Sequence, residues 1–93
     1  MEVETFDDVF DALADTPAEA ANMKARADLL NLLTDRIKSW GLTQEAAADR
    51  LGITRPRLND LVRGKLGKFS LDALVNLATA AGLVLEIRVA TAA

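Results

Sequence analysis

The chain contains neither cysteine nor histidine. Disulfides and thiol chemistry are excluded, the usual zinc ligand sets cannot be assembled, and the residues most often used as nucleophile or general base at neutral pH are missing. The composition points away from an enzyme and from any metal or cofactor site. Long apolar runs are absent too: charges interrupt every apolar stretch well short of the roughly 18 residues that a membrane span requires. The chain opens with Glu2 and Glu4, where a secretory signal would carry bases, so the expected location is the cytoplasm, with no membrane partner. What is present, 93 residues of which 51% are apolar, suffices for one small domain with a modest core.

Positive charge is scarce in the first third and concentrated afterwards. Residues 1 to 35 hold nine acids against Lys24 and Arg26, a net of −7; from residue 36 onward nine bases face five acids, a net of +4. The overall −3 therefore hides two electrostatic ends, and the basic one is suited to nucleic acid.

The most informative stretch lies in the basic part, from Leu42 to Gly64 (LTQEAAADRLGITRPRLNDLVRG). It predicts two helices joined by a tight turn, with Thr43 capping the first, Gly52 near the turn, and Thr54 capping the second ahead of Arg55 and Pro56. Ala47 and Ala48 are small where the second helix would cross the first, and Gly52 can take the positive φ that ends a helix. Leu51, Ile53, Leu58 and Leu61 are the expected apolar anchors, leaving Arg55, Arg57, Asn59, Asp60 and Arg63 on the other faces of the second helix. That polar face could enter a major groove, or it could be the solvated side of an ordinary helical hairpin.

The rest of the chain follows the same logic. Phe6, Val9, Phe10 and Leu13 fall at i, i+3, i+4 and i+7, giving a short amphipathic helix over Phe6 to Ala14 flanked by Asp7, Asp8 and Asp11. Thr16, Pro17 and Glu19 open a long helix that runs to Trp40 and stops at Gly41, burying Met23, Ala27, Leu30, Leu33, Ile37 and Trp40. Lys65 to Phe69 read as a basic loop, and Ser70 caps a helix that packs Leu71, Leu74, Val75, Leu77 and Ala78 on the core before Gly82 ends it. Gly64 to Ser70 (GKLGKFS) has the look of a phosphate-binding loop, but Val62 stands where that loop needs its first glycine, so no nucleotide site is expected.

Leu83 to Val89 alternate as a strand, with Leu83, Leu85, Ile87 and Val89 on one face. A lone strand needs something to pair with. One solution is antiparallel pairing with a second copy about a two-fold axis, which places two reading helices for successive major grooves and predicts a homodimer on a palindromic operator. The others are packing on the chain's own helices and pairing with Glu2 to Thr5.

The Leu42–Gly64 segment resembles the helix-turn-helix of the phage-repressor-like (XRE) family. Leu42, Thr43, Gln44, Ala48, Leu51, Gly52, Ile53, Thr54, Leu58, Leu61 and Gly64 carry the likeness. It implies a mainly α fold, a phage-repressor-like helix-turn-helix bundle with one C-terminal strand, and it implies binding to double-stranded DNA. Thr43 and Gln44 would then hold phosphates, Thr54, Arg55, Arg57, Asn59 and Asp60 would reach base edges or the adjacent backbone, and Arg63, Lys65 and Lys68 would add phosphate contacts. For Lys68 a solvated loop charge is the competing reading. Pro56 departs from the family pattern by removing a polar side chain. Asp60 departs as well: it would accept from a cytosine amine, orient Arg57 or Arg63, or lie off the groove.

Over most of its length the chain is similar to small antitoxins of the HigA type. The residues that carry this likeness are Phe6 to Leu13, Pro17 to Lys24, Leu42 to Gly64, Phe69 to Leu74 and Leu83 to Val89. Three parts are expected: residues 1–16 as an acidic arm, 17–82 as the helical DNA-binding domain, and 83–93 as strand and tail. The resemblance implies a repressor of its own promoter that also neutralises a small basic RelE-like ribonuclease. Phe6, Asp7, Asp8, Val9, Phe10, Asp11 and Leu13 would form the toxin-binding arm, or its apolar residues would instead pack on the long helix. A stand-alone regulator without a toxin, and a helix-turn-helix kept as an interaction scaffold, are the alternatives.

Overall fold

The computed structural model describes residues 16–92; the helix expected over Phe6 to Ala14, the strand considered for Glu2 to Thr5 and the arm residues Phe6 to Leu13 lie outside the described residues. Helix α1 spans Pro17–Ser39. The Thr16 hydroxyl caps it by accepting from the Glu19 N–H at 3.1 Å, and Pro17 sits at the first helical position, where no N–H is needed. Trp40 and Gly41, the latter at φ 63°, end the helix where the sequence placed its stop.

Two eight-residue helices follow, α2 over Gln44–Leu51 and α3 over Arg55–Val62. A short 3-10 turn over Leu66–Lys68 leads into α4, Leu71–Ala80, which Ser70 caps by accepting from the Ala73 N–H at 3.1 Å. Helix α1 lies along α4 and touches α3 and the 3-10 turn, while α2 packs on α3 and α4. The long helix is thus the backstop against which the shorter ones are held.

The core forms where these helices meet. Helix α1 supplies Leu30, Leu33 and Ile37, α2 supplies Ala47, Ala48 and Leu51, α3 supplies Leu58 and Leu61, and α4 supplies Leu74, Leu77 and Ala78. Met23, Ala27, Leu71 and Val75, expected in the same stripes, are half-buried at the margin. Thr34 is buried as well, its hydroxyl donating to the Leu30 carbonyl at 2.8 Å and so satisfying its own polarity within the helix. Among the described residues Phe69 is the largest fully buried side chain, 1% exposed. It was expected in a basic loop; instead the 3-10 turn carries its ring into the interior, and Leu66 packs beside it.

Leu83 to Val89 form no strand ladder among the described residues. The Leu83 N–H bonds back to the Ala78 carbonyl at 2.9 Å and Leu83 is half-buried on the core, but beyond it the backbone finds no second strand. A strand is defined by its pairing, so alternation alone cannot make one in a single chain. Val84, Ile87 and Val89 remain largely exposed at 85%, 77% and 90%.

Replacing Phe69 with Ala should remove the centre of the core and lower unfolding free energy by about 3–5 kcal/mol, read from the shift in a urea unfolding midpoint.

Candidate nucleic-acid interface

The geometry of the α2–α3 pair starts from three local features. Thr43 and Thr54 each cap a helix, their hydroxyls accepting from the N–H groups of Ala46 and Arg57, both at 3.2 Å. Gly52 closes α2 at φ 73°: its own N–H bonds to Asp49, and the Ile53 N–H reaches back to the Ala48 carbonyl at 3.0 Å. Ala47 and Ala48, each 2% exposed, are small enough for α3 to cross close to α2. The turn angle is therefore set by backbone hydrogen bonds and by the absence of side-chain bulk. Arg50, in the last turn of α2, lies 4.1 Å over the Trp40 ring and ties the pair back to the end of α1.

Thr43 and Gln44 are exposed at the start of α2, and Thr54 and Arg55 are exposed at the start of α3. Both helix N-termini thus present free N–H groups and polar side chains on accessible surface, an arrangement that suits anions.

The five polar residues expected on the outer faces of α3 divide into two sets. Arg55 and Asn59 lie one turn apart, and Arg63 one turn further; the side chains of all three make no hydrogen bond or ion pair among the described residues. Arg57 and Asp60 are engaged within the protein. The Arg57 guanidinium lies 4.0 Å over the Phe69 ring and donates through Nη1 to the Lys68 carbonyl at 2.8 Å. Asp60 faces the same turn, with Lys65 Nζ at 3.4 Å from one carboxylate oxygen and Lys68 Nζ at 3.7 Å from the other. Orienting Arg57 or Arg63 was one role considered for Asp60; its ion pairs are instead with Lys65 and Lys68, partners that the sequence reading did not name.

Sequence reasoning missed Arg26. From α1 its Nη1 donates to the carbonyls of Leu66 and Phe69, at 3.1 and 3.2 Å, and so anchors the turn from below. The signal was available: Arg26 is one of two bases in an acidic third of the chain, three residues after Met23 and four before Leu30, on the edge of the apolar stripe.

A second surface is apolar. Leu29 and Leu32 of α1, Leu71 and Val75 of α4, and Leu85 and Ile87 of the C-terminal segment line an open groove of about 370 Å³. Of the residues expected on the dimer strand, Leu83 is half-buried on the core, Leu85 and Ile87 line this groove, and Val89 is exposed. Among the described residues no cluster of acids could hold a metal ion, and no helix is long and apolar enough to cross a membrane.

A family described as a helix-turn-helix domain matches residues 12–90 of the chain. No curated protein matches it.

The turn geometry makes a prediction of its own. A Cβ at Gly52 would meet nothing within 4 Å, so Gly52→Ala should cost only the left-handed backbone strain, about 1–2 kcal/mol. Thermal unfolding should show this loss while the helical circular dichroism of the folded state is retained.

Proposed function

Because the chain belongs to this helix-turn-helix domain family, we propose that it is a sequence-specific transcriptional repressor that lays α3 in the major groove of double-stranded DNA. The observation that carries this reading is the uncommitted face of α3, where Arg55 and Asn59 stand one turn apart with no partner among the described residues. Arg is suited to a bidentate contact with guanine and Asn to one with adenine, each worth on the order of 1–3 kcal/mol of discrimination. Thr54 stands at the tip of the same helix. Thr43 and Gln44, at the exposed start of α2, hold a phosphate and set the docking register. Arg63, Lys65 and Lys68 supply sequence-independent attraction just past the end of α3.

The finer assignments rest on the sequence resemblance. The domain is of the phage-repressor-like (XRE) type, with residues 17–82 as the DNA-binding unit. It works in the cytoplasm as a homodimer on a palindromic operator. Residues 83–89 pair with the same segment of a second copy, which supplies the missing ladder and covers apolar side chains that are otherwise exposed. Two reading helices about 34 Å apart then meet successive major grooves. The likeness to HigA-type antitoxins makes the operator the protein's own promoter, and it makes the acidic residues 1–16, with Phe6, Val9, Phe10 and Leu13 at helical spacing, the arm that neutralises a small basic RelE-like ribonuclease.

Two experiments test this. A duplex selected from a random pool should bind with an affinity that falls steeply with salt, and Arg55→Ala should relax the preference at one guanine by about 1–3 kcal/mol; no binding to any duplex at low salt would overturn the repressor reading. Removal of residues 1–16 should abolish co-purification with the ribonuclease and leave operator affinity unchanged; a truncated chain that still holds its partner would remove the arm's role.

A further inference from the structure

The 64–69 turn is held from both sides in a way that simple solvent-exposed loops are not. Arg26 takes the carbonyls of Leu66 and Phe69 from the α1 side. From the α3 side Arg57 covers the Phe69 ring and takes the Lys68 carbonyl. Between these clamps the Phe69 N–H closes on Leu66 at 3.1 Å and the Lys68 N–H on Lys65 at 3.0 Å. Phe69 is buried, so the Arg57 guanidinium works against a surface that cannot move independently of the core.

Helix geometry separates this activity from base contact. Arg55 and Arg57 point roughly 200° apart about the axis of α3, whereas Arg55 and Asn59 differ by only about 40° and Arg57 and Asp60 by about 60°. The side that faces the turn is therefore not the side that carries Arg55 and Asn59. Asp60 completes the arrangement by setting one carboxylate oxygen toward each of two ammonium groups, which lets Lys65 and Lys68 sit close together despite their like charge and leaves the trio at net +1.

We propose that Arg57 and Asp60 are positioning residues: they hold the 64–69 turn at a fixed angle to α3, so that Lys65 and Lys68 meet the DNA backbone as a preset pair, while Arg55 and Asn59 alone on that helix distinguish bases. This rests on the DNA-binding reading above. It assigns to the two residues a task that leaves base preference untouched and makes the lysine pair part of a rigid unit.

The test uses the full chain and a duplex selected against it. Base preference at every operator position is measured for the parent and for Arg55→Ala, Arg57→Ala, Arg57→Lys and Asp60→Asn. Arg55→Ala should relax preference at one or two positions. Arg57→Ala should weaken binding uniformly across duplexes, Arg57→Lys should restore part of the loss, and Asp60→Asn should leave every base preference as it was. In a Phe69→Leu background, where the ring contact is gone and only the bond to the Lys68 carbonyl remains, the effect of Arg57→Ala should shrink; a residue that contacts a base would lose the same affinity in either background. Hydrogen exchange on the free protein gives a readout independent of DNA: Arg57→Ala should speed exchange at the Lys68 and Phe69 amides several-fold. Altered base preference in Arg57→Ala or Asp60→Asn overturns the proposal, and so does unchanged exchange at both amides. If the parent binds no duplex at all, the DNA-binding reading fails and the division of α3 fails with it, whereas unchanged exchange with intact DNA binding refutes the positioning role alone.

Discussion

The burial of one aromatic ring joins the core of this small domain to its candidate interface. Phe69 is held inside by the apolar side chains of the helical bundle, and the residues on either side of it must follow. Its carbonyl and that of Leu66 come within reach of Arg26, and the outer face of its ring becomes the platform for Arg57. A domain of this size buries few large side chains, so it has little redundancy. The same ring that fills the interior fixes where the turn after α3 lies, and through that turn where two lysines stand.

What the sequence revealed was what local interactions decide. Thr16, Thr43, Thr54 and Ser70 each accept a hydrogen bond from an N–H three residues on, and each was readable as a cap because the interaction spans a single turn. Gly52 was readable for the same reason, as was the apolar stripe of α1. Phe69 was not, because nothing periodic surrounds it and its anchor, Arg26, lies 43 residues away. The polar residues of α3 were legible as one outward group, but their division was not: Arg57 finds its partner 11 residues downstream, across a turn whose shape depends on the ring beneath it. The C-terminal alternation suggested a strand, yet whether those residues pair is decided by a second strand that the described residues do not contain.

The charge pattern follows from the same economy of size. With a net charge of −3 the chain as a whole would repel a phosphate lattice, so attraction must come from local arrangement. Most of the bases beyond residue 50 flank α3 and the turn after it, while the bulk of the acids lie in the first 35 residues. Asp60 is the one acid placed among them, and it acts between two ammonium groups instead of facing solvent alone.

The separation of α3 into a bonded side and an unbonded side bears on how such a protein can change over generations. The side chains of Arg55 and Asn59 make no hydrogen bond or ion pair among the described residues, so exchanging them for other polar residues breaks no such contact. Arg57, Asp60 and Phe69 are bound to one another's positions, and a change in any of them disturbs the others. On the proposed reading of α3, a lineage of such proteins drifts to new operator sequences through these two positions, while the shape of the helix pair and its following turn is inherited intact.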